Sequence, residues 1–422
     1  MSYTRLTANG ISLVSFDDGL DYWSSHITVN GPWEYGGWLF GAWAAESTGT
    51  PNRLAVLGSD DAGATWAELD AANCPGIWDF SGHPEAIGVL GGLQDGSTLY
   101  IACAEPLGAP NACGIQIVPF DLAARSWGTP ITGGPMLFTD VSAMSQCAIL
   151  FRKSDGSFRV VHNAKVVPPS GGAGAAVSKY SGGVWSGPTY LGADILAYSA
   201  AMDSDERIHV YGRGYSTSYN LPIVEEVLLA NDTLAGSQTI ASDMLSTNAN
   251  PPMAIARSGG DLVLPYPRAV EYTPPVSSSQ SVWGHIAVLE GAPADQPTYA
   301  AQEASYLGSL ASDAAYGWMR IAVVEYRGQV CCLWLHPETG ETAVFAATRA
   351  GSTWGAPGCL YDTVSDSGTP DRGWLTALQA RALSGGIGCF IRIRESVESG
   401  WKVGIYYMLA EAAGAGCRNY VY

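Results

Sequence analysis

Along the chain, short apolar runs alternate with tight glycine- or aspartate-bearing steps, and the pattern repeats. An apolar stretch, a small break and a second apolar stretch recur at Tyr35-Gly36-Gly37, Asp95-Gly96, Asp155-Gly156, Ser204-Asp205, Gly259-Gly260, Arg327-Gly328 and Gly385-Gly386. Gly and Asp tolerate the positive φ that two-residue hairpin turns demand. The flanks have strand character: Ala148-Ile149-Leu150-Phe151 precedes one break and Phe158-Arg159-Val160-Val161 follows it, apolar and rich in β-branched residues. Successive breaks lie about 50 to 67 residues apart, near 58 on average, which is the spacing of a repeat built from one supersecondary unit.

A second hairpin signal follows each first one by about 30 residues, again within one unit. Its best copy is Ser59-Asp60-Asp61-Ala62-Gly63-Ala64-Thr65-Trp66. Weaker copies end on Trp127, Trp185 and Trp354, each followed by small residues and a Pro. In the fourth, fifth and seventh units the turn keeps its position but not its Trp, near Asn231-Asp232, Ala292-Pro293 and Gly414-Ala415-Gly416. The unit therefore reads strand, turn, strand, long loop, strand, turn, strand, and no stretch reads as a long amphipathic helix. This predicts an all-β chain folded as a β-propeller, with seven blades of four antiparallel strands, or six if a terminal unit is irregular. A β-helix would repeat faster, and two packed sandwiches would not hold one period throughout. Residues 21–422 are expected to form the single propeller domain. The segment 1–20, with Ile11-Ser12-Leu13-Val14-Ser15-Phe16 as one strand, closes the ring or docks on a neighbour.

The pattern Ser59-x-Asp61-x-Gly63-x-Thr65-Trp66 resembles the Asp boxes of sialidases and other Asp-box propellers. The resemblance implies a structural role: in that family the box lies on the face opposite the active site. Asp61 and Ser59 bond their own turn, Gly63 takes a φ other residues resist, and Trp66 packs between sheets. A sialidase of that family also holds its substrate carboxylate with three arginines. It uses a Tyr paired with Glu as nucleophile and an Asp as acid/base. Here no Arg lies between Arg5 and Arg53, the Phe-Arg-Ile-Pro type of motif is absent, and Arg320, Arg372, Arg381, Arg392 and Arg394 lie in no matching motif. The expectation is a sialidase-like propeller without sialidase catalysis.

Charge narrows the partners. The chain has a net charge of -18, with 39 acidic against 21 basic residues. Such a surface has no basic footprint to displace counterions from nucleic acid or to engage an anionic bilayer. No apolar run approaches the roughly 20 residues of a membrane-spanning helix, and the first residues show no secretory signal. The nine Cys contain no zinc-type spacing and read as small buried hydrophobes. Cys103 and Cys113 flank one loop and are a candidate disulfide. The six His are dispersed, and His162, His209 and His285 fall in strands as packed residues. The acids of Asp203-Ser204-Asp205-Glu206 and Asp60-Asp61 belong to turns. No cofactor and no metal is expected.

Strand direction places the tight turns at one end and the longer loops, 70–86, 103–113, 163–176, 212–221, 265–282, 299–318 and 359–375, at the other. Function concentrates on such loops. They carry Trp78, Asp79, His83, Arg213, Tyr215, Tyr219, Arg268, Tyr272, Trp318, Arg372 and Trp374, along with Glu85, Glu271 and Asp371. Aromatic rings cover the apolar face of a sugar while polar groups take its hydroxyls. The sequence thus points to a non-catalytic structural or adhesion subunit of a phage or virus-like particle, assembled in the cytoplasm. Its expected partners are other particle subunits and host surface glycans. A sialidase-like glycoside hydrolase and an intracellular interaction scaffold are the alternatives.

Overall fold

The computed structural model describes residues 11–13, 28–47, 50–75, 90–106, 113–134, 148–165, 173–191, 195–214, 220–245, 254–271, 282–310, 321–338, 341–355, 357–362, 374–397 and 400–410. Apart from a single 3₁₀ turn at Ala71–Asn73, the regular structure among them is β. In chain order the strands form successive antiparallel meanders. The first is Thr28–Tyr35, Trp38–Ser47, Thr50–Ser59 and Ala67–Leu69; the second is Leu90–Asp95, Thr98–Pro106, Cys113–Asp121 and Ser126–Trp127. The third is Ala148–Arg152, Phe158–Lys165, Ala173–Ser181 and Val184–Tyr190. The fourth, Ile195–Met202, Ile208–Gly214, Asn220–Leu228 and Leu234–Leu245, joins the fifth, Ile255–Ala256, Leu262–Glu271, Val282–Gly291 and Tyr299–Leu310. Their common eight-stranded sheet is bridged only by the pairing of Met244 with Arg268. The sixth unit is Ile321–Tyr326, Gln329–Glu338 and Glu341–Ala350, with Thr353–Trp354 and Gly358–Asp362 both paired to its third strand.

The last unit is Trp374–Ala382, Ile387–Val397 and Gly400–Ala410, and its fourth strand is Ile11–Leu13, paired Ile11 to Met408 and Leu13 to Tyr406. The predicted closing turn at Gly414–Gly416 lies outside the described residues, as do residues 14–16 of the predicted first strand. The first strand of each unit touches that of the next, and the first strand of the last unit touches Thr28–Tyr35. The sheets therefore stand around an axis in a closed ring, the arrangement of a β-propeller. All seven first-hairpin turns fall between the first and second strands of their units.

Apolar side chains fill the spaces between neighbouring sheets. Phe40, Ile101, Ile117 and Phe120 are among the fully buried residues of the early units, and Trp334, Cys389 and Ile391 of the late ones. In the first six units the second-hairpin region leans back on the preceding unit. In the first unit Trp66 sets its ring edge-on against Phe390 and Tyr407 of the last unit, at 5.4 and 5.3 Å. The turn beneath it is closed by Asp61, which accepts from Ser59 Oγ (2.8 Å), Thr65 N (2.9 Å) and Thr65 Oγ1 (2.6 Å), while Trp66 Nε1 donates to the Gly63 carbonyl (3.0 Å). Gly63 has φ +93°, and a Cβ there would lie 2.2 Å from the Tyr407 ring. The Thr65 bonds, first of all, hold the Asp61 carboxyl down at about 2. Arg125 lies 4.5 Å over the Trp38 ring of the first unit, and Trp185 Nε1 donates to the Thr132 carbonyl of the second.

Where the Trp is missing, charge takes its place. Asp232 of the fourth unit accepts from Arg159 Nε (2.7 Å), Arg159 Nη2 (2.6 Å), Lys153 Nζ (3.1 Å) and Lys179 Nζ (2.8 Å), all on the third. In the fifth unit Asp295 pairs with Arg207 (3.2 Å) and the Pro297 carbonyl accepts from Gln238 (2.7 Å), both on the fourth. The sixth unit adds Arg349, buried and paired with Glu290 of the fifth. On the inner turns a second device recurs. The backbone N–H of Ser154, Ser258 and Ser384 each donates to a Glu of the following unit: Glu206 (2.6 Å), Glu325 (2.7 Å) and Glu34 (2.7 Å). The third of these clasps joins the last unit to the first.

Two sequence expectations are corrected. Cys103 lies opposite Gln116 and Cys113 opposite Pro106, so the ladder holds the two cysteines out of register for a disulfide. Cys103 is a free, buried thiol whose ionisation burial pushes up to about 12. Residues 103–106, 163–165, 173–176, 212–214, 220–221, 265–271, 299–310, 359–362 and 374–375, expected as loop, are strand. The strands extend further toward the long-loop end than the turn spacing predicts.

Candidate functional site

The second strand of each unit runs from the tight turn toward the long-loop end, and the fourth strand does the same. The loop-face residues expected from the sequence divide accordingly. Arg268 lies in Leu262–Glu271, Arg213 lies in Ile208–Gly214, and Trp374 opens Trp374–Ala382. These three are strand residues at or near the loop end, not loop residues. Trp78, Asp79, His83, Tyr215, Tyr219, Tyr272, Trp318 and Arg372 lie outside the described residues.

Arg268 belongs to a polar cluster at the seam between the fourth and fifth units. The single pairing of Met244 with Arg268 draws the two strands together there. Asp243 Oδ2 accepts from Arg268 Nε at 2.5 Å, and its Oδ1 accepts from the Tyr266 hydroxyl at 3.2 Å. The Arg268 and Asp243 side chains are 33% and 30% exposed, so the pair reaches solvent while Tyr266, 1% exposed, anchors it to the core. Planar donors beside a carboxylate acceptor suit the alternating hydroxyls of a sugar. Asp243 and Tyr266 were not singled out from sequence. The signal was available only in the register, because Asp243 belongs to a different repeat from Arg268.

Deeper in the same seam runs a second polar chain. His209 sets Nδ1 2.9 Å from Glu225 Oε1 and Nε2 3.1 Å from Asp203 Oδ2. The Tyr299 hydroxyl donates to Glu225 Oε1 at 2.5 Å and lies 3.0 Å from the Tyr211 hydroxyl, while Gln238 donates to Glu225 Oε2 at 2.7 Å. Burial first, then the neighbouring charges, drives both tyrosines well above their ordinary range. His209, Glu225 and Tyr211 are fully buried, as expected for His209. His162 is likewise buried, with Ser178 Oγ 2.7 Å from its Nε2. The side chain of His285 lies outside the described residues. Among the described residues no group of three or more His, Cys, Asp or Glu is arranged to hold a metal ion.

No family model matches the chain, and no curated protein does. Solved structures do resemble it. The α-L-arabinofuranosidase Arb93A of Fusarium graminearum, bound to an iminosugar inhibitor, shares 11% identity over 95% of this chain and 97% of its own, with a TM-score of 0.50. The β-propeller domain of the Trilobed protease from Pyrococcus furiosus shares 9% over 94% and 100%, with a TM-score of 0.45. The Aleuria aurantia lectin, a six-bladed β-propeller that recognises fucose, shares 12% over 93% and 98%, with a TM-score of 0.43. At such identities the likeness is one of fold, and the chain is an all-β propeller.

Proposed function

We propose that the chain is a carbohydrate-binding β-propeller of seven blades, non-catalytic, whose loop face carries the ligand. The observation that carries this reading is the half-exposed Arg268–Asp243 pair, set on the buried Tyr266 at the loop end of a seam. It offers donors and acceptors together on a rigid base, which is how a protein orients a sugar's hydroxyls. The aromatic loop residues Trp78, Tyr215, Tyr219, Tyr272 and Trp318, with Asp79, His83, Arg213, Arg372 and Trp374, supply the stacking surface and its polar rim. What supports an Asp-box ancestry is the bonding of Ser59, Asp61, Gly63 and Trp66 within one turn. In this reading the protein is a repeated subunit of a phage or virus-like particle, held to its neighbours away from the loop face and binding host glycans.

The second reading is a glycoside hydrolase of the same fold. It rests on the likeness to an arabinofuranosidase, which is a likeness of fold. A glycan array followed by titration of the best ligand separates the two. Binding without turnover, weakened at least tenfold by Arg268→Ala, supports the first reading. Hydrolysis of an arabinoside or sialoside that a loop-face substitution abolishes overturns it. An array with no ligand, from a folded protein, removes the carbohydrate assignment.

A further inference from the structure

Several described cations at the seams face a carboxylate of the neighbouring unit: Arg159 with Asp232, Arg207 with Asp295, Arg349 with Glu290. Arg381 does not. It roots in the first strand of the last unit, just before the Leu383–Gly386 turn, at the end of the ring away from the loop face. Its Nη2 donates to Asn30 Oδ1 (3.2 Å) and to the Gly92 carbonyl (3.4 Å), and its guanidinium carbon lies 5.0 Å over the Trp33 ring. It has no ion pair with any described carboxylate. Glu34 of the same seam is taken by Ser384.

Three inner strands thus converge on one half-buried guanidinium through a side-chain amide, a peptide carbonyl and an aromatic face. The two buried side-chain atoms left without a partner there are donors. Arg381 Nε and Trp33 Nε1 are both buried and without a hydrogen-bond partner, and Trp33 is 4% exposed. Buried donors without acceptors are rare in folded proteins and call for an explanation. Burial alone pushes the guanidinium down to about 10, with no carboxylate lifting it back. It stays charged at neutral pH, on the inner wall of a ring whose net charge is -18. Two unpaired donors beside a cation suit an acceptor that carries negative charge.

We propose that Arg381, with Trp33, forms an anion site on the inner wall where the last, first and second units meet, taking a small oxyanion or a carboxylate. The site is independent of the loop-face reading, because it lies at the other end of the strands and needs none of the loop residues. The shared ligand chemistry has two sources, a free inorganic oxyanion or the carboxylate of an acidic sugar.

Calorimetric titration of the full chain with sodium sulfate, sodium acetate and sodium glucuronate, at fixed ionic strength, tests the site. At least one anion is expected to bind saturably. Sulfate alone identifies an inorganic oxyanion site; glucuronate, with or without acetate, identifies a carboxylate site. Arg381→Gln is expected to weaken binding at least tenfold, and Trp33→Phe about threefold. Should Arg381→Gln not fold, Arg381→Lys keeps the charge but loses the fork, and it is expected to weaken binding in the same sense. A crystal soaked in selenate is expected to place the anomalous scatterer within hydrogen-bond distance of Arg381. No saturable binding of any of the three by the wild-type protein overturns the proposal. So does unchanged affinity in a folded Arg381 variant, or selenate bound only elsewhere.

Discussion

Replacing Asp232 by Asn separates charge from shape at the seam between the third and fourth units. The carboxylate takes four hydrogen bonds from three cations, and the Lys153 and Arg159 side chains are only 2% exposed. The amide fits the same space but accepts through one oxygen and turns an NH₂ toward a cation. Removing one partner of a buried ion pair costs about 3–5 kcal/mol, because the other charge is left behind. The Asp232 side chain is itself 21% exposed, so water screens part of that loss, and about 3 kcal/mol is the expected cost. Lys179 is 38% exposed, and Lys179→Ala is expected to cost under about 1 kcal/mol. The pH dependence has a definite sign. Burial pushes the Asp232 carboxyl up, but the bonds from Arg159, Lys179 and Lys153 outweigh it and hold the group well below the ordinary carboxylate range. A depressed folded pKa gives stability that is present above the unfolded value, about 3.9, and lost as pH falls below it. Urea unfolding at pH 7 and pH 3, with amide exchange over 148–190 and 220–245, measures both effects. The Asn variant should lose its disadvantage as the pH drops below about 4. Equal stability of variant and wild type at pH 7, or an undiminished difference at pH 3, refutes the reasoning.

Four further outcomes are expected. Burial holds His162 neutral, with its pKa lowered to about 4. The unfolded chain then binds that proton first, and stability should fall by about 3 kcal/mol as pH drops from 6.5 to 4; His162→Gln should flatten that slope in urea titrations, and an identical slope argues against it. Gly63→Ala combines a φ of +93° with a Cβ 2.2 Å from Tyr407 and should cost more than about 2 kcal/mol. Trp66→Ala, which removes a half-buried ring set against two others, should cost about 3 kcal/mol, and a melt like wild type for either variant places the ring elsewhere. Deleting residues 1–20 takes away the strand paired with Gly400–Ala410 and should lower the melting temperature, whereas an unchanged melt with lost assembly would assign the segment to docking.

The hairpins were legible because their requirement is local. A positive φ restricts the residue type whatever surrounds it, so Gly36, Gly96, Gly156, Gly260 and Gly328 mark turns in the bare sequence. Their even spacing then implied the repeat, and the repeat implied the ring. The seams were not legible, because their partners are long-range. Asp232 reads as one acid of an ordinary Asn-Asp turn, and nothing nearby announces the three cations contributed from 53 to 79 residues away. The same blindness hid Asp243 beside Arg268 and made Arg381 one Arg among many. Loss of the Trp from the fourth and fifth turns looked like decay of the motif. In the fold it is substitution: the surface a ring would cover on the preceding unit is held there by ion pairs and amide bonds. Apolar contact is nearly indifferent to pH, whereas carboxylate–cation contact is not. The ring is therefore closed by apolar packing at Trp66 and by charge at Asp232, and acid should open the third-to-fourth seam before the last-to-first one. Amide exchange at low pH, faster over 220–245 than over 50–75, is the signature of that order, and the reverse order would mean that the charged seam is the stronger of the two.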